Sequence, residues 1–137
     1  MSNNKIKLAI THGDINGVGY EVIIKTFSDN RMMDVCTPIL YGSSKVASYH
    51  KKLLKNELNL TNIKDASAII DKKFNVINIT NEEVKIDLGK STEVAGQLSL
   101  KSLDCACDDL MKNNVDVLVT APINKKNIQC KDFVFHK

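Results

Sequence analysis

The stretch Lys5–Phe27, KIKLAITHGDINGVGYEVIIKTF, decides how the chain is read. Lys5 to Ile10 begins with alternating apolar and polar residues and closes as a short apolar run, the pattern of a strand entering a buried sheet. Tyr20, Ile23, Ile24 and Phe27 then recur at i, i+3, i+4 and i+7, one apolar stripe of a helix. Between them, Thr11 to Glu21 packs Gly13, Gly17 and Gly19 around Asp14. The glycine-rich turn therefore occupies a strand-to-helix corner.

The same alternation continues outward. Pro38–Gly42 reads as a second strand, after which Ser43 or Ser44 caps a helix through Val46, Ala47, Leu53 and Leu54. Asn56 to Lys73 is polar and ambiguous, with a possible short helix over Asp65–Ile70. Phe74–Thr80 and Val84–Leu88 are both strand candidates, the second because it alternates with a period of two. Leu100, Leu103, Cys107, Leu110 and Met111 mark a further helical stripe that stops near Asn113 and Asn114. Val115–Thr120 is the clearest buried strand, and it runs directly into Ala121-Pro122-Ile123-Asn124-Lys125. Strands alternating with helices predict an α/β layer on a mainly parallel sheet, with the site in loops at the carboxyl ends of strands.

Composition narrows the function. The chain has 137 residues, 43% of them apolar, enough for one core. Its net charge is +3, but Arg31 is the sole arginine, so the forked donors that grip bases and phosphates are missing and no nucleic-acid partner is expected. No apolar run approaches the roughly 20 residues that span a bilayer, and MSNNKIK is not a signal peptide, so no membrane partner and a cytoplasmic location are expected. Cys36, Cys105, Cys107 and Cys130 lack metal-finger spacing and read as reduced, mostly buried thiols.

Two loops carry candidate chemistry. Gly13, Gly17 and Gly19 form G-x-x-x-G-x-G, which is neither the dinucleotide fingerprint nor a Walker loop. Amides at a helix start attract anions, yet the Asp14 carboxylate would repel a phosphate, so a structural corner and a ligand contact both remain open. In the second loop Thr120 offers a hydroxyl, Asn124 an amide and Lys125 a cation, a set suited to a small anionic substrate. The plainer alternative has Asn124 capping a subsequent helix and Lys125 solvated. His50 falls in a lysine-rich helix and reads as a surface residue; His12 and the near-terminal His136 have no distinguishing context.

Taken together, THGDINGVGYE and TAPINK resemble the amino-terminal portion of 4-hydroxythreonine-4-phosphate dehydrogenases of pyridoxal 5'-phosphate (vitamin B6) biosynthesis. Their opening is T-M-G-D-P-A-G-I-G-P-E, and Thr11, Gly13, Asp14, Gly17, Gly19 and Glu21 match it. T-A-P-I-N-K is matched in full by Thr120 to Lys125, with Gly96 at the expected place between the motifs. The resemblance implies an isocitrate/isopropylmalate dehydrogenase-like α/β fold with helices on both sheet faces. It also implies a homodimer, a small phosphorylated amino-acid substrate, and NAD with a divalent metal (Zn, Mg or Co) as cofactors. The metal would polarise the hydroxyl that loses hydride before the keto acid decarboxylates.

The departures from that pattern shape the expectation. Ile15 and Tyr20 stand where the family has prolines. The family continues F-x-F-P-G-H-T-E, whereas here Phe133-Val134-Phe135 runs directly into His136, the candidate counterpart of its substrate-contacting histidine with Pro-Gly missing. The family's metal-binding histidines and most of its NAD site lie further on. Residues 1–137 are therefore expected to be the amino-terminal α/β portion of the dehydrogenase, without the carboxyl-terminal metal- and NAD-binding part, inactive alone and binding neither cofactor. Thr120, Asn124, Lys125, Asp14 and His136 are its expected substrate-binding residues, and valine at Gly17 is expected to disturb folding before any cofactor affinity. A non-catalytic binding or interaction module that kept the α/β fold is the alternative.

Overall fold

The computed structural model describes residues 5–128. Five strands form one sheet in the order β3-β4-β2-β1-β5, and every neighbouring pair is parallel. The strands are β1 (Ile6–Thr11), β2 (Cys36–Gly42), β3 (Leu60–Ile63), β4 (Phe74–Asn78) and β5 (Val117–Thr120). Helices α1 (Gly19–Phe27), α2 (Met32–Val35), α3 (Ser44–Leu54) and α4 (Glu93–Met111) connect them. Leu8, Ile10, Leu40 and Val76 point to one face and pack with α1 and α3 residues; Ala9, Ile39, Tyr41 and Ile77 point to the other and pack with Ala106 of α4. The period-two alternation of the strands thus builds two cores, with helices on both faces as the resemblance implies.

Local chemistry explains most boundaries. The α1 stripe of Tyr20, Ile23, Ile24 and Phe27 is buried as its spacing predicts. Ser43 caps α3, its side chain accepting from the Val46 amide at 3.3 Å. The possible helix over Asp65–Ile70 is a single 3-10 turn, Ala66–Ala68, capped by Asp65.

Four sequence expectations need correction. Val84–Leu88 is not a strand. Both edges of β4 are already taken by β2 and β3, so the chain after β4 has no neighbour to pair with there, and Val84 and Ile86 instead pack as partly buried side chains on the α1-side core. The polar segment Asn56–Lys73 does hold a strand, β3; at the sheet edge its alternation is weak because little of it is buried. The buried face of α4 is Ala95, Gly96, Ser99, Ser102 and Ala106, not the larger stripe, and Cys107 and Met111 are exposed. Finally, β5 is an edge strand, with Val117 and Val119 42% and 47% exposed although their sequence is that of a buried strand.

The small face of α4 has a steric cause. A Cβ on Gly96 would run into the Asn127 carbonyl, a backbone group that cannot swing aside. Only a helix with a bare patch there can lie against the loop after β5. Gly96→Ala should therefore destabilise the chain by about 3 kcal/mol or more, beyond any gain in helix propensity. Urea denaturation of the variant against the parent checks this.

Candidate functional site

The sheet order places a topological switch between β1 and β5. From β1 the chain proceeds through β2 toward one edge, while β5 adds on the opposite side, so the loops leaving β1 and β5 lie side by side at the carboxyl ends of the sheet, where open α/β sheets place their sites. Thr11 pairs with Thr120 in the register, which brings the two sequence motifs side by side.

Backbone contacts lock the loops together. The Ala121 amide donates to the Thr11 carbonyl at 3.1 Å, and the Asp14 amide donates to the Pro122 carbonyl at 3.0 Å. Gly13 has φ +64°, and a Cβ there would strike the Pro122 carbonyl and meet the Ala121 carbonyl at 3.0 Å. A Cβ on Gly19 would come within 2.8 Å of the His12 carbonyl. Gly17 has neither a left-handed φ nor a close neighbour, its added Cβ meeting nothing nearer than 3.6 Å. A valine at Gly17, expected to disturb folding, thus meets no backbone clash at its Cβ; Gly13 and Gly19 are the glycines that lie where backbones touch.

Asp14 ties the corner rather than capping α1. Its Oδ1 accepts from the Asn16 amide at 3.0 Å, while Val18, the residue before α1, makes no side-chain cap. Asn16 is buried and fully used. Its Nδ2 donates to the Lys90 carbonyl at 3.1 Å and to Thr92 Oγ1 at 3.3 Å, and its Oδ1 accepts from the Asp87 amide at 2.8 Å. Thr92 in turn caps α4 through the Ala95 amide. One side chain in the glycine-rich corner therefore sets where α4 begins. Its only sequence signal was a polar residue beside glycine.

His12 and Tyr20, eight residues apart and unlinked by any sequence pattern, form a buried pair. The His12 Nε2–H donates to the Leu98 carbonyl at 3.1 Å, leaving Nδ1 to accept the Tyr20 hydroxyl at 2.6 Å; that hydroxyl accepts from the Ser43 amide at 3.1 Å. His50 is not a surface residue: it is buried, its Nε2–H donates to the Ile15 carbonyl at 3.0 Å, and its ring stacks on Tyr20 with centroids 5.1 Å apart. The helix periodicity that exposes its lysine neighbours turns His50 inward, onto Tyr20.

Desolvation pushes the His12 pKa down to about 4, against the partial offset of the Leu98 carbonyl, and lowers that of His50 in the same direction. Both rings are neutral at pH 7 and donate to carbonyls, so neither offers an open lone pair at Nε2. Among the described residues no three His, Cys, Asp or Glu side chains stand where they could hold a metal ion. The described residues do not fit the metal that the resemblance implies.

The remaining candidates divide. Thr120 ends β5 and is exposed; Lys125 is exposed in the loop beyond. Asn124 closes a turn, with no helix following it among the described residues, its Oδ1 accepting from the Lys126 amide at 3.0 Å and the Asn127 amide at 3.3 Å. Asp14, Thr120, Asn124 and Lys125 thus belong to two segments held together at the carboxyl ends of β1 and β5. His136 lies outside the described residues, as does Cys130; Cys36 is buried, whereas Cys107 is exposed, contrary to a mostly buried reading for that thiol.

This is a parallel α/β layer with its candidate site at a switch point, the arrangement of a small-molecule enzyme domain. Residues 34–137 match the family model of the pyridoxal phosphate biosynthetic protein PdxA, and the chain belongs to that family. It is 48% identical over 135 residues to the 4-hydroxythreonine-4-phosphate dehydrogenase of Bacteroides thetaiotaomicron, covering 98% of this chain and 37% of that protein. A Clostridium botulinum protein provisionally named a D-threonate 4-phosphate dehydrogenase is 28% identical, with 94% of this chain and 40% of that one covered. The crystal structure of the Burkholderia phymatum 4-hydroxythreonine-4-phosphate dehydrogenase shares the fold with a TM-score of 0.85 at 24% identity, over 92% of this chain and 39% of that one. The chain spans about two fifths of the length of these relatives.

Two outcomes test the geometry. Gly17→Ala should leave the melting temperature within a degree or two, whereas Gly13→Ala should lower stability by about 1–3 kcal/mol through its left-handed backbone and the Pro122 carbonyl. The second concerns pH. Unfolded His12 takes up a proton near pH 6.5, the folded ring only near 4, so the stabilisation is complete above 6.5 and is lost as pH falls toward 4. The loss should be on the order of 3 kcal/mol, and His12→Gln should flatten that part of the stability-pH curve measured by chemical denaturation.

Proposed function

We propose that residues 1–137 form the amino-terminal α/β portion of a NAD-dependent 4-hydroxythreonine-4-phosphate dehydrogenase that oxidises and decarboxylates 4-hydroxy-L-threonine phosphate in pyridoxal 5'-phosphate biosynthesis. The observation that carries this reading is the meeting of Thr11–Asp14 with Thr120–Lys125 at the switch point, in a chain 48% identical to a relative of that name. In this reading the Lys125 ammonium and the Thr120 hydroxyl address the anionic end of the substrate. With Oδ1 of Asn124 committed to the loop, its Nδ2–H2 is the donor it has to offer. Asp14 holds the corner that forms the floor, and His136 completes the substrate contacts.

The metal and NAD are assigned to the part of the family's length that this chain does not span, since among the described residues no three His, Cys, Asp or Glu side chains stand where they could hold a metal. Val117 and Val119, exposed on the sheet face that α1 covers over β1, support packing of that further polypeptide over β5. Neighbouring exposed aliphatic residues on one sheet face favour covering. The assembled enzyme is a cytoplasmic homodimer in this reading, and the 137-residue chain alone is inactive.

Co-expressing the chain with the remaining part of the Bacteroides relative tests the proposal. The pair should form NADH from 4-hydroxythreonine phosphate while the chain alone forms none; turnover by the chain alone, or none by a stably assembled pair, would overturn it. In the pair, Lys125→Met should raise KM for the phosphorylated substrate roughly tenfold or more, as expected for a lost charge-assisted contact.

A further inference from the structure

The small face of α4 carries more than a close approach. Among the described residues, the buried side-chain atoms without a hydrogen-bond partner are Thr11 Oγ1, Ser99 Oγ, and both Nδ2 and Oδ1 of Asn127. Thr11 is fully buried and Ser99 is 1% exposed. Orphaned polar atoms are uncommon inside proteins, and several together are rarer still.

Strand register and helix spacing put Thr11 and Ser99 at one seam, which leads toward the backbone of Asn127. Ala9 faces the α4 side of the sheet, so Thr11, two residues on, faces it as well, between its register partners Tyr41 and Thr120. Ser102 of α4 sits directly above: its Oγ accepts from the His12 amide at 3.1 Å and donates to the Tyr41 carbonyl. Nearly two turns earlier on the same helix face, Gly96 lies against the Asn127 carbonyl. Ser99 is midway between them, about 4.5 Å along the axis from each. A track of small polar side chains therefore runs from the end of β1 to the loop after β5.

We propose that this seam is an internal water site, in which Thr11 Oγ1, Ser99 Oγ and the Asn127 side-chain amide hold ordered water that ties the loop after β5 to α4 and β1. Water suits the set because the hydroxyls can donate or accept while the amide supplies one donor group and one acceptor, giving the two to four partners such water requires. Backbone bonds hold the start of that loop to β1. The hydrated seam would hold its far end, beyond Asn124 and Lys125. The inference concerns residues 5–128 and does not depend on the proposed reaction.

The test joins observation with substitution. A high-resolution crystal structure of the chain should place water within hydrogen-bonding distance of Thr11 Oγ1 and Ser99 Oγ, and that water should be missing or displaced in Thr11→Val. Removing a hydroxyl that holds water should lower the melting temperature by roughly 3–6 °C, the shift of one lost buried hydrogen bond in a domain of this size. In a dry seam the same isosteric change would leave the melting temperature unchanged or raise it, because it would relieve an unsatisfied group. Well-defined density without water, or a neutral or stabilised Thr11→Val, would overturn the proposal. If Thr11→Val does not fold, Ser99→Ala carries the same comparison, with the parent density deciding hydration.

Discussion

The structure depends on two backbones touching at the carboxyl ends of β1 and β5. The Asp14 amide meets the Pro122 carbonyl, and Gly13 turns beneath that carbonyl in a conformation that leaves no room for a side chain. Parallel strands offer no hairpin to fix their relative position, so a parallel pair must be registered by what crosses at its ends and by the helix that returns the chain. Here both devices are present. The loop crossing sets the height of β5 against β1, and α4 lies close enough to the crossing that Gly96 touches the loop directly.

From that crossing the polar network spreads in both directions. Asn16 reaches from the corner to Asp87, Lys90 and Thr92, so the irregular segment before α4 is held by the same turn that starts α1. His12 and Tyr20 connect the corner to Leu98 of α4 and to Ser43 at the start of α3. Three helices are thereby positioned by an eleven-residue motif, Thr11 to Glu21. Burying so many polar groups is tolerable only because nearly all are satisfied.

Much of this was legible and some was not, for physical reasons. The β1–α1 unit was readable because its apolar residues obey one period each, and burial follows period. Ser43 was readable because capping is local. By contrast, α4 buries alanine, glycine and serine, so a search for large apolar residues finds the wrong face. Val84–Leu88 has the alternation of a strand but no free edge to join. His50 was misplaced because its lysine neighbours describe the outer side of α3, whereas its own side is settled by Tyr20, thirty residues away in sequence. For the candidate site, Thr120, Asn124, Lys125 and Asp14 were named from their loops, but the residues that hold those loops act across distances no local pattern encodes.

The glycine-rich corner illustrates how a turn can keep its shape without proline. A proline presets one backbone angle without needing any partner. Tyr20 presets nothing by itself; its hydroxyl instead bridges His12 and the Ser43 amide, and its face carries His50. Rigidity at Tyr20 is distributed over an aromatic stack and a chain of hydrogen bonds. Such rigidity is conditional, since it requires both histidines to remain neutral. It also couples the corner to α3 and α4 in a way that a proline does not. A corner built in this manner can hold the loops at the switch point only as long as the whole layer is folded, which makes the site and the core a single cooperative unit.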